Sequence, residues 1–201
     1  MFKIEKLGLI DFQKALEYQN KLVSLKQNGS KINYFLMMEH EHVFTMGKGA
    51  NLKNILDKNI STIVTNRGGD ITYHGPGQLT GYIILDLRSN KFDLYGFLSY
   101  IELLIINVLE KLDINAYQIE GLRGVWAEGK KVASIGIGVK KGITMHGFAL
   151  NVNPDLAYFS KIKPCGLDSK NISSIAELKK ENFTVETVQE LFIQQFPEFF
   201  E

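Results

Sequence analysis

The segment Arg67-Gly68-Gly69-Asp70-Ile71-Thr72-Tyr73-His74-Gly75-Pro76-Gly77-Gln78 combines glycines, a proline and a histidine in one turn-rich stretch, residues 67–78. Runs rich in β-branched and apolar residues flank it, Ser61–Thr65 before and Leu79–Leu87 after, and both predict strands. Glycine lets a ligand approach the backbone closely, and Pro76 fixes one φ between flexible neighbours. We therefore expect a loop between two strands that forms a binding site. The alternative interpretation is a long hairpin loop without a function.

Composition limits the protein class. The chain has 201 residues, 45% hydrophobic and 22% charged, which suits one globular domain spanning residues 1–201. Its net charge of +1 gives no overall field that would attract nucleic acid or a membrane, so we expect neither as a partner. Cys165 is the only cysteine, and charges at Lys3, Glu5 and Lys6 interrupt any secretory apolar run. These features predict a protein of the reducing cytoplasm.

Hydrophobic periodicity predicts three helices. Each has a recognisable boundary residue, either an N-cap aspartate or a breaker. The helices are Asp11 to about Gln27 with the Asn28-Gly29 stop, Leu94–Leu112 behind the N-cap Asp93, and Thr184–Phe196 ended by Pro197.

Strand patterns fill most of the remaining chain. Tyr34–Met38 and Val43–Met46 are apolar runs, and Gly124–Val152 has the pattern of a meander with turns at Glu128-Gly129 and Lys141-Gly142. There is no repeat, low-complexity tract or linker. The sequence therefore predicts an α+β domain in which helices pack on a mostly antiparallel sheet.

Lys131 is the unusual residue of the meander. Because side chains alternate along a strand, Lys131 shares a face with Ala133 and Ile135 if no bulge intervenes, and Lys130 lies on the other face. Burial disfavours an ammonium and lowers its pKa, which prepares a lysine for acid–base work or for pairing with an anion. The alternative is a strand end whose aliphatic stem packs while its ammonium stays in solvent.

Cys165 lies in a second turn signal, Pro164-Cys165-Gly166, which follows Lys161 and Lys163. Most lone cysteines are inert core residues, but this context predicts a thiol on a loop beside positive charge. A free thiol with a pKa of about 8.5 is only slightly ionised at neutral pH, so a cationic neighbour raises the thiolate fraction. Cys165 is therefore a candidate nucleophile.

Three segments together resemble the lipoyl(octanoyl) transferase family: residues 67–78, then Lys131–Gly136 leading to Thr144–Asn151, and finally Pro164-Cys165-Gly166. Their order matches the family as well as their residues do. Ile83 stands where members often carry proline. The resemblance implies the fold shared by biotin and lipoate protein ligases, with a mixed sheet flanked by helices. It extends from about Tyr34 to Ile175, through Glu39-His40, Thr45-Met46-Gly47 and Gly124-Val125-Trp126.

What the resemblance implies is an acyltransferase. Cys165 would carry an octanoyl group as a thioester, and Lys131 would favour the thiolate and move protons. The octanoyl group would come from octanoyl-acyl carrier protein and pass to a lysine of apo lipoyl domains, in 2-oxoacid dehydrogenase complexes and the glycine cleavage H protein. This is the first step of endogenous protein lipoylation. The implied substrate-binding residues are Arg67, Gly68, Gly69, Asp70, Ile71, Thr72, Tyr73, His74, Ser134, Ile135, Gly136, Gly147, Phe148 and Ala149.

The residues agree with this implication. Glycines in the binding segments allow narrow backbone walls around a straight alkyl chain, and each buried methylene contributes about 0.8 kcal/mol. Backbone N–H groups near these glycines, helped by His74, are candidates to hold an oxyanion. The chain has no Gly-Lys-Ser/Thr phosphate loop and no Rossmann fingerprint, so we expect neither a nucleotide nor another cofactor, and no metal.

Three alternatives remain open. An ATP-dependent lipoate or octanoate ligase on the same fold would use a lysine to stabilise an acyl-adenylate and would need no cysteine. A metal enzyme would use His40 and His42, with His74, His146 and Cys165 as further ligands, although the spacings match no familiar zinc pattern. A non-catalytic acyl-binding module would bind the chain without forming a covalent bond.

Overall fold

Ten strands form two sheets in the computed structural model, which describes residues 1–200. The larger sheet has seven strands and the smaller has three. In chain order the strands are β1 (Phe2–Ile10), β2 (Asn33–His40), β3 (Val43–Met46), β4 (Thr62–Val64), β5 (Ile71–His74), β6 (Gln78–Ile84), β7 (Ala116–Ile119), β8 (Leu122–Ala127), β9 (Lys130–Lys140) and β10 (Ile143–Asn151).

The large sheet has the order β1-β2-β6-β10-β9-β8-β7, and the small sheet has the order β4-β3-β5. Only the β1–β2 and β3–β4 pairs are parallel. The others are antiparallel. The prediction of a mostly antiparallel, mixed sheet is therefore confirmed. The meander is also confirmed: its two turns have positive φ at Glu128, Gly129, Lys141 and Gly142, as tight hairpin turns require.

Four helices cover the sheet: α1 (Phe12–Gln27), α2 (Leu94–Glu110), α3 (Ile175–Lys179) and α4 (Val185–Phe200). The predicted N-caps are confirmed, because Asp11 accepts a hydrogen bond from Lys14 N at 3.0 Å and Asp93 accepts one from Gly96 N at 2.6 Å. Within residues 1–200 no helix combines the length and the apolar character needed to cross a bilayer.

The helices divide the core into layers. On one face of the large sheet, α2 and α4 bury Phe35, Phe148 and Phe192 among other apolar side chains. On the other face α1 covers a second cluster around Leu36 and Tyr82. The small sheet has its own cluster around Tyr73. The molecule is therefore an α+β domain with helices on both faces of the larger sheet.

Several predicted boundaries are wrong. Residues 67–78 are not one loop, because Ile71–His74 form strand β5, which pairs antiparallel with β3. The run predicted as a strand to Leu87 ends at Ile84. Pro197 does not end the last helix, which continues to Phe200. Its continuation is stabilised by the Phe196 and Phe200 rings, which stack with centroids 4.6 Å apart.

Close contact between strands β6 and β10 makes glycine necessary at Gly81. A Cβ atom built there would lie 2.3 Å from the Phe148 ring. That ring is 2% exposed and stacks on Phe192 at 5.0 Å, so it has no room to move away.

We therefore expect Gly81→Ala to lower the free energy of unfolding by roughly 1–3 kcal/mol, because overpacking a filled core forces side chains and backbone to shift. Urea unfolding measures this difference. Gly68→Ala is the matched control, because its added Cβ would meet Ile137 O at an ordinary 3.6 Å. Equal stability of Gly81→Ala and Gly68→Ala would contradict the prediction.

Candidate active site

The pairing between β8 and β9 stops partway along β9, and a cavity opens at this point. The paired residues are Val125 with Ala133, Trp126 with Lys131, and Ala127 with Lys130. Strand β9 continues beyond them to Lys140 against β10 on its other side. The 67–70 loop then takes the place of β8, because Gly68 N donates to Ile137 O at 2.9 Å. The resulting cavity has a volume of about 430 Å³.

The edge of β9 forms one wall of this cavity. The Ile137 carbonyl faces away from β10 towards Gly68, and alternate residues of a strand present their backbone groups to the same side. The N–H and C=O of Ile135 therefore face the cavity, which Ser134, Ile135 and Gly136 line.

The three segments named from the sequence meet in this cavity, together with both candidate catalytic residues. Tyr73 is the exception: its side chain lies on the opposite side of β5, where its hydroxyl contacts His42 Nδ1 at 2.7 Å. Strand alternation explains this, because the neighbours Thr72 and His74 face the cavity. The predicted residues that line it are Arg67, Gly68, Gly69, Asp70, Ile71, Thr72, His74, Lys131, Ser134, Ile135, Gly136, Gly147, Phe148, Ala149 and Cys165.

Glycine is required where these walls touch. A Cβ atom on Gly147 would lie 2.0 Å from the Gly81 carbonyl oxygen, so β10 and β6 approach closely only without a side chain there. On the neighbouring strand β9, a Cβ on Gly136, the register partner of Gly147, would lie 3.1 Å from the Gly68 carbonyl oxygen. At these two positions the cavity is therefore bounded by backbone.

Lys131 is buried at the mouth of this cavity, with 5% of its surface exposed. Its Nζ donates to the Arg123 carbonyl at 2.6 Å and lies 5.8 Å from the Trp126 ring centroid. Burial lowers the pKa of Lys131, and the charges of Cys165 and Glu102 oppose that shift. The interpretation of Lys131 as a strand end with its ammonium in solvent is therefore wrong.

Cys165 is exposed and lies in a short 3-10 turn, Pro164–Gly166. Its φ of 53° and ψ of 33° are left-handed, a conformation that non-glycine residues adopt at an energetic cost. The negative charge of a Cys165 thiolate would raise the pKa of two buried cations, Lys131 and Arg67. Lys161, which the sequence suggested as its cationic neighbour, instead forms an ion pair with Asp57 at 3.5 Å.

Arg67 supplies a second buried cation, 8% exposed. Its guanidinium donates to Thr45 O at 2.8 Å, Thr45 Oγ1 at 3.0 Å and Gly68 O at 3.0 Å, and Nε has no partner in the described part of the chain. These acceptors are neutral oxygens. The positive charge of Arg67 therefore remains available to stabilise negative charge in the cavity.

His74 and His146 line the same cavity in neutral form. Burial, followed by the nearby charges of His40 and Arg67, lowers the pKa of His74 to about 3. Burial and Arg67 lower the pKa of His146 to about 4. His74 Nδ1 donates to Gln78 Oε1 at 2.7 Å, so the ring N–H suggested for an oxyanion is already engaged.

The alternative metal site is not formed. His40 contacts the Ile10 carbonyl and the Tyr82 hydroxyl, whereas His42 contacts Tyr73. Across residues 1–200, no three His, Cys, Asp or Glu side chains converge as ligands for a metal ion.

Sequence reasoning missed several residues around the site. Glu102 is a buried carboxylate beside the apolar stripe of α2, and Leu94 and Leu98 of that stripe line the cavity. Gly124 was named only as part of a family motif, and its place beside Lys131 was missed: it has a φ of 126° and leaves room for that side chain. An acidic residue next to an otherwise apolar helix face was a signal that the sequence did offer.

Known proteins are similar to this chain in both sequence and fold. Residues 11–197 match the family model of the lipoyl protein ligase A/B catalytic domain. The octanoyltransferase of Solibacter usitatus is 42% identical over 205 residues, which cover 98% of this chain and 92% of that protein. The octanoyltransferase of Citrifermentans bemidjiense is 40% identical over 192 residues, covering 96% and 90%.

Two solved structures with lower identity confirm the predicted fold. Lipoate-protein ligase A bound with ATP has a TM-score of 0.77 at 16% identity, covering 98% of this chain and 84% of that one. Biotin protein ligase from Aquifex aeolicus, in complex with biotin and ATP, has a TM-score of 0.57 at 15% identity, covering 98% and 70%.

The buried neutral histidines predict a loss of stability in acid. Their folded pKa lies below the unfolded value of about 6.5, so the unfolded chain binds protons that the folded chain does not. The contribution of these histidines to the free energy of unfolding is fully present above about pH 6.5. It falls as the pH drops towards the folded pKa, by about 1.4 kcal/mol per pH unit for each histidine.

Urea unfolding at a series of pH values measures this slope. We expect His146→Gln to reduce the slope by about one proton between about pH 4.5 and 6. An unchanged slope in this variant would contradict the assignment of His146 as a buried neutral imidazole.

Proposed function

Because this chain belongs to the family of the lipoyl protein ligase A/B catalytic domain, we propose that it is an octanoyltransferase that carries the octanoyl group on Cys165. It is an acyltransferase of protein lipoylation, as its relatives at 40–42% identity over nearly their whole length indicate. The observation that carries the thioester proposal is that an exposed thiol and a buried lysine line one cavity.

The donor we propose is octanoyl-acyl carrier protein. The acceptors are lysines of apo lipoyl domains, in 2-oxoacid dehydrogenase complexes and the glycine cleavage H protein. A reducing cytoplasm suits this chemistry, because the single thiol at Cys165 must stay free to act as a nucleophile. No cofactor enters the scheme.

In the first half-reaction Lys131 takes the thiol proton, and the Cys165 thiolate attacks the carbonyl carbon of the donor thioester. The tetrahedral intermediate collapses with cleavage of the donor C–S bond. The leaving carrier thiolate takes the proton back from the Lys131 ammonium. The products are the Cys165 thioester, the free carrier thiol and a neutral Lys131.

In the second half-reaction the acceptor amine attacks the Cys165 thioester and gives its proton to neutral Lys131. The C–S bond to Cys165 breaks, which leaves an amide on the acceptor and an ammonium–thiolate pair on the enzyme. Burial of Lys131 supports both halves, because a lowered pKa makes its proton easier to give and leaves the neutral base more populated.

Negative charge develops on the carbonyl oxygen in both tetrahedral intermediates. Arg67 is proposed to stabilise it together with the Ile135 N–H that faces the cavity. Both groups are fixed before substrate arrives, Arg67 by Thr45 and Gly68, and Ile135 by its strand. Donors fixed in advance stabilise developing charge without reorganisation.

The cavity suits an alkyl chain. Its volume of about 430 Å³ falls in the usual range for small-ligand sites, and apolar side chains such as Leu98, Trp126 and Phe148 line it. Burying the methylenes of an octanoyl chain at about 0.8 kcal/mol each yields several kcal/mol. Much shorter chains would lose most of that free energy.

The ATP-dependent ligase is the second candidate, because a structural neighbour is a lipoate-protein ligase bound with ATP. That likeness, at 16% identity, supports the shared fold alone. The position of Cys165 on the cavity favours the transferase, because an adenylate mechanism has no need of a thiol there.

Intact-mass spectrometry after mixing the protein with octanoyl-acyl carrier protein alone tests the first half-reaction. We expect a mass increase of one octanoyl group, located on Cys165 by peptide mapping and released by hydroxylamine. Cys165→Ala is the control and should form no adduct. Acylation of a lipoyl domain by Cys165→Ala, or a requirement for ATP in the unaltered protein, would favour the ligase.

Lys131→Met should slow both half-reactions by about 10²–10⁴-fold, because proton transfer by a positioned side chain contributes that much. Rapid-quench measurement of adduct formation and of octanoyl transfer to a lipoyl domain separates the two steps. Lys130→Met is a suitable control, because Lys130 forms an exposed ion pair with Glu177. A wild-type rate in Lys131→Met would remove Lys131 from the mechanism.

A further inference from the structure

Glu102 is a buried carboxylate in the middle of α2, only 3% exposed. It accepts hydrogen bonds from Gly124 N at 2.8 Å, Gln118 Nε2 at 3.0 Å and Arg123 Nη1 at 3.3 Å. All three donors belong to the β7–β8 hairpin. A buried charge is costly unless hydrogen bonds compensate it, so this carboxylate firmly anchors the hairpin to the helix.

One peptide group connects Glu102 to Lys131. The Arg123 carbonyl accepts the hydrogen bond from Lys131 Nζ at 2.6 Å, and the N–H of the same peptide group, on Gly124, donates to Glu102. The amide therefore lies between an ammonium and a carboxylate. Each partner polarises the amide in the direction that strengthens the other bond.

The backbone at this peptide group suits no other residue. Gly124 has a φ of 126°, and a Cβ atom there would lie 2.4 Å from Lys131 Cε and 2.4 Å from the Ala133 carbonyl oxygen. Gly124 also lies where the pairing of β8 with β9 ends, next to a register shift between Val125 and Trp126. The hairpin end is thus shaped so that its carbonyl meets the lysine.

We propose that Glu102 is a positioning residue that acts on Lys131 through the 123–124 peptide group. It holds the Arg123 carbonyl against Nζ and supplies a negative charge that offsets the desolvation of the ammonium. Because Glu102 does not touch Nζ, the remaining N–H groups of the ammonium stay available to Cys165 and to the substrate. Its catalytic consequence rests on the proposed function, but its effect on Lys131 does not.

Other charged groups near Lys131 have partners of their own. The ionisable groups whose charges raise the pKa of Lys131 against the effect of burial are Cys165 and Glu102. Arg123 of β8 pairs with Glu102, and Arg67 donates to Thr45 and Gly68. On neighbouring elements two further ion pairs form, Lys130 with Glu177 and Lys170 with Asp168.

The rate of Cys165 alkylation by iodoacetamide at neutral pH tests this proposal without any octanoyl donor. We expect Glu102→Gln to slow alkylation several-fold, because it lowers the protonated fraction of Lys131, and Lys131→Met to slow it about tenfold, because it removes the ammonium that favours the thiolate. In the double variant, Glu102→Gln should cause no further slowing. Glu110→Gln, at the exposed end of α2, is the matched control and should react like the unaltered protein.

The proposal is overturned if Glu102→Gln slows alkylation equally in the unaltered protein and in Lys131→Met. It is also overturned if Glu102→Gln does not slow alkylation at all. Failure of the octanoyl adduct to form would contradict the proposed function instead, so the two failures are distinguishable. The pH profile of octanoyl transfer adds a check: its alkaline limb should move to lower pH in Glu102→Gln. A merely structural role would lower the amplitude of the profile without moving it.

A second measurement avoids altering Glu102. In Lys131→Met the amide proton of Gly124 should move upfield in NMR spectra, because its bond to Glu102 loses the polarisation supplied by the ammonium. Lys130→Met, one residue away on the other face, should leave that resonance in place. A Gly124 resonance that is unchanged in Lys131→Met overturns the proposal.

Discussion

The burial of a lysine ammonium beside an exposed thiol is the constraint on which the site depends. A desolvated ammonium is stable only with fixed acceptors, and Lys131 has a carbonyl from β8 rather than a contacting carboxylate. A direct carboxylate partner would hold the lysine protonated and would compete with the thiolate for its charge. The neutral acceptor therefore keeps the ammonium available to Cys165, and Glu102 supplies its charge one peptide group away.

That arrangement requires an interrupted sheet. Complete pairing of β8 with β9 would use the edge of β9 for hydrogen bonds and would fill the place of the cavity. Instead β8 pairs with β9 only from Val125 to Ala127, and the Gly68 N–H pairs with Ile137 farther along β9. The gap between these two contacts exposes the backbone of Ile135 to the cavity. The large sheet tolerates the gap because β10 still pairs with β9 from Ala133 to Lys140.

Local chemistry explains which features the sequence could reveal. Helix caps, tight turns and the glycine-rich segments are recognisable from neighbours along the chain, whereas Lys131 and Cys165 are singled out by the resemblance to a known family. Strand β5 was not recognisable, because its residues Ile71–His74 lie between glycines that dominate the pattern, and their partner strand β3 is distant in sequence. The direction of Tyr73 follows only once that strand is known. Glu102 was missed because its function comes from a hairpin that reaches it only in the folded chain.

The energetics of the acyl group agree with the proposed transfer, which uses no nucleotide. A thioester donor already carries an activated acyl group, and exchange between two thiols is nearly isoenergetic, so the first transfer needs only a thiolate in the right place. The second transfer, from thioester to amide, is downhill. A ligase that begins with a free carboxylic acid must first activate it, and a bound ATP would supply that activation. The proposed transferase reaction therefore asks of the protein only a reactive thiol and a base, and an exposed cysteine in a strained left-handed turn and a buried lysine on the same cavity fit that proposal.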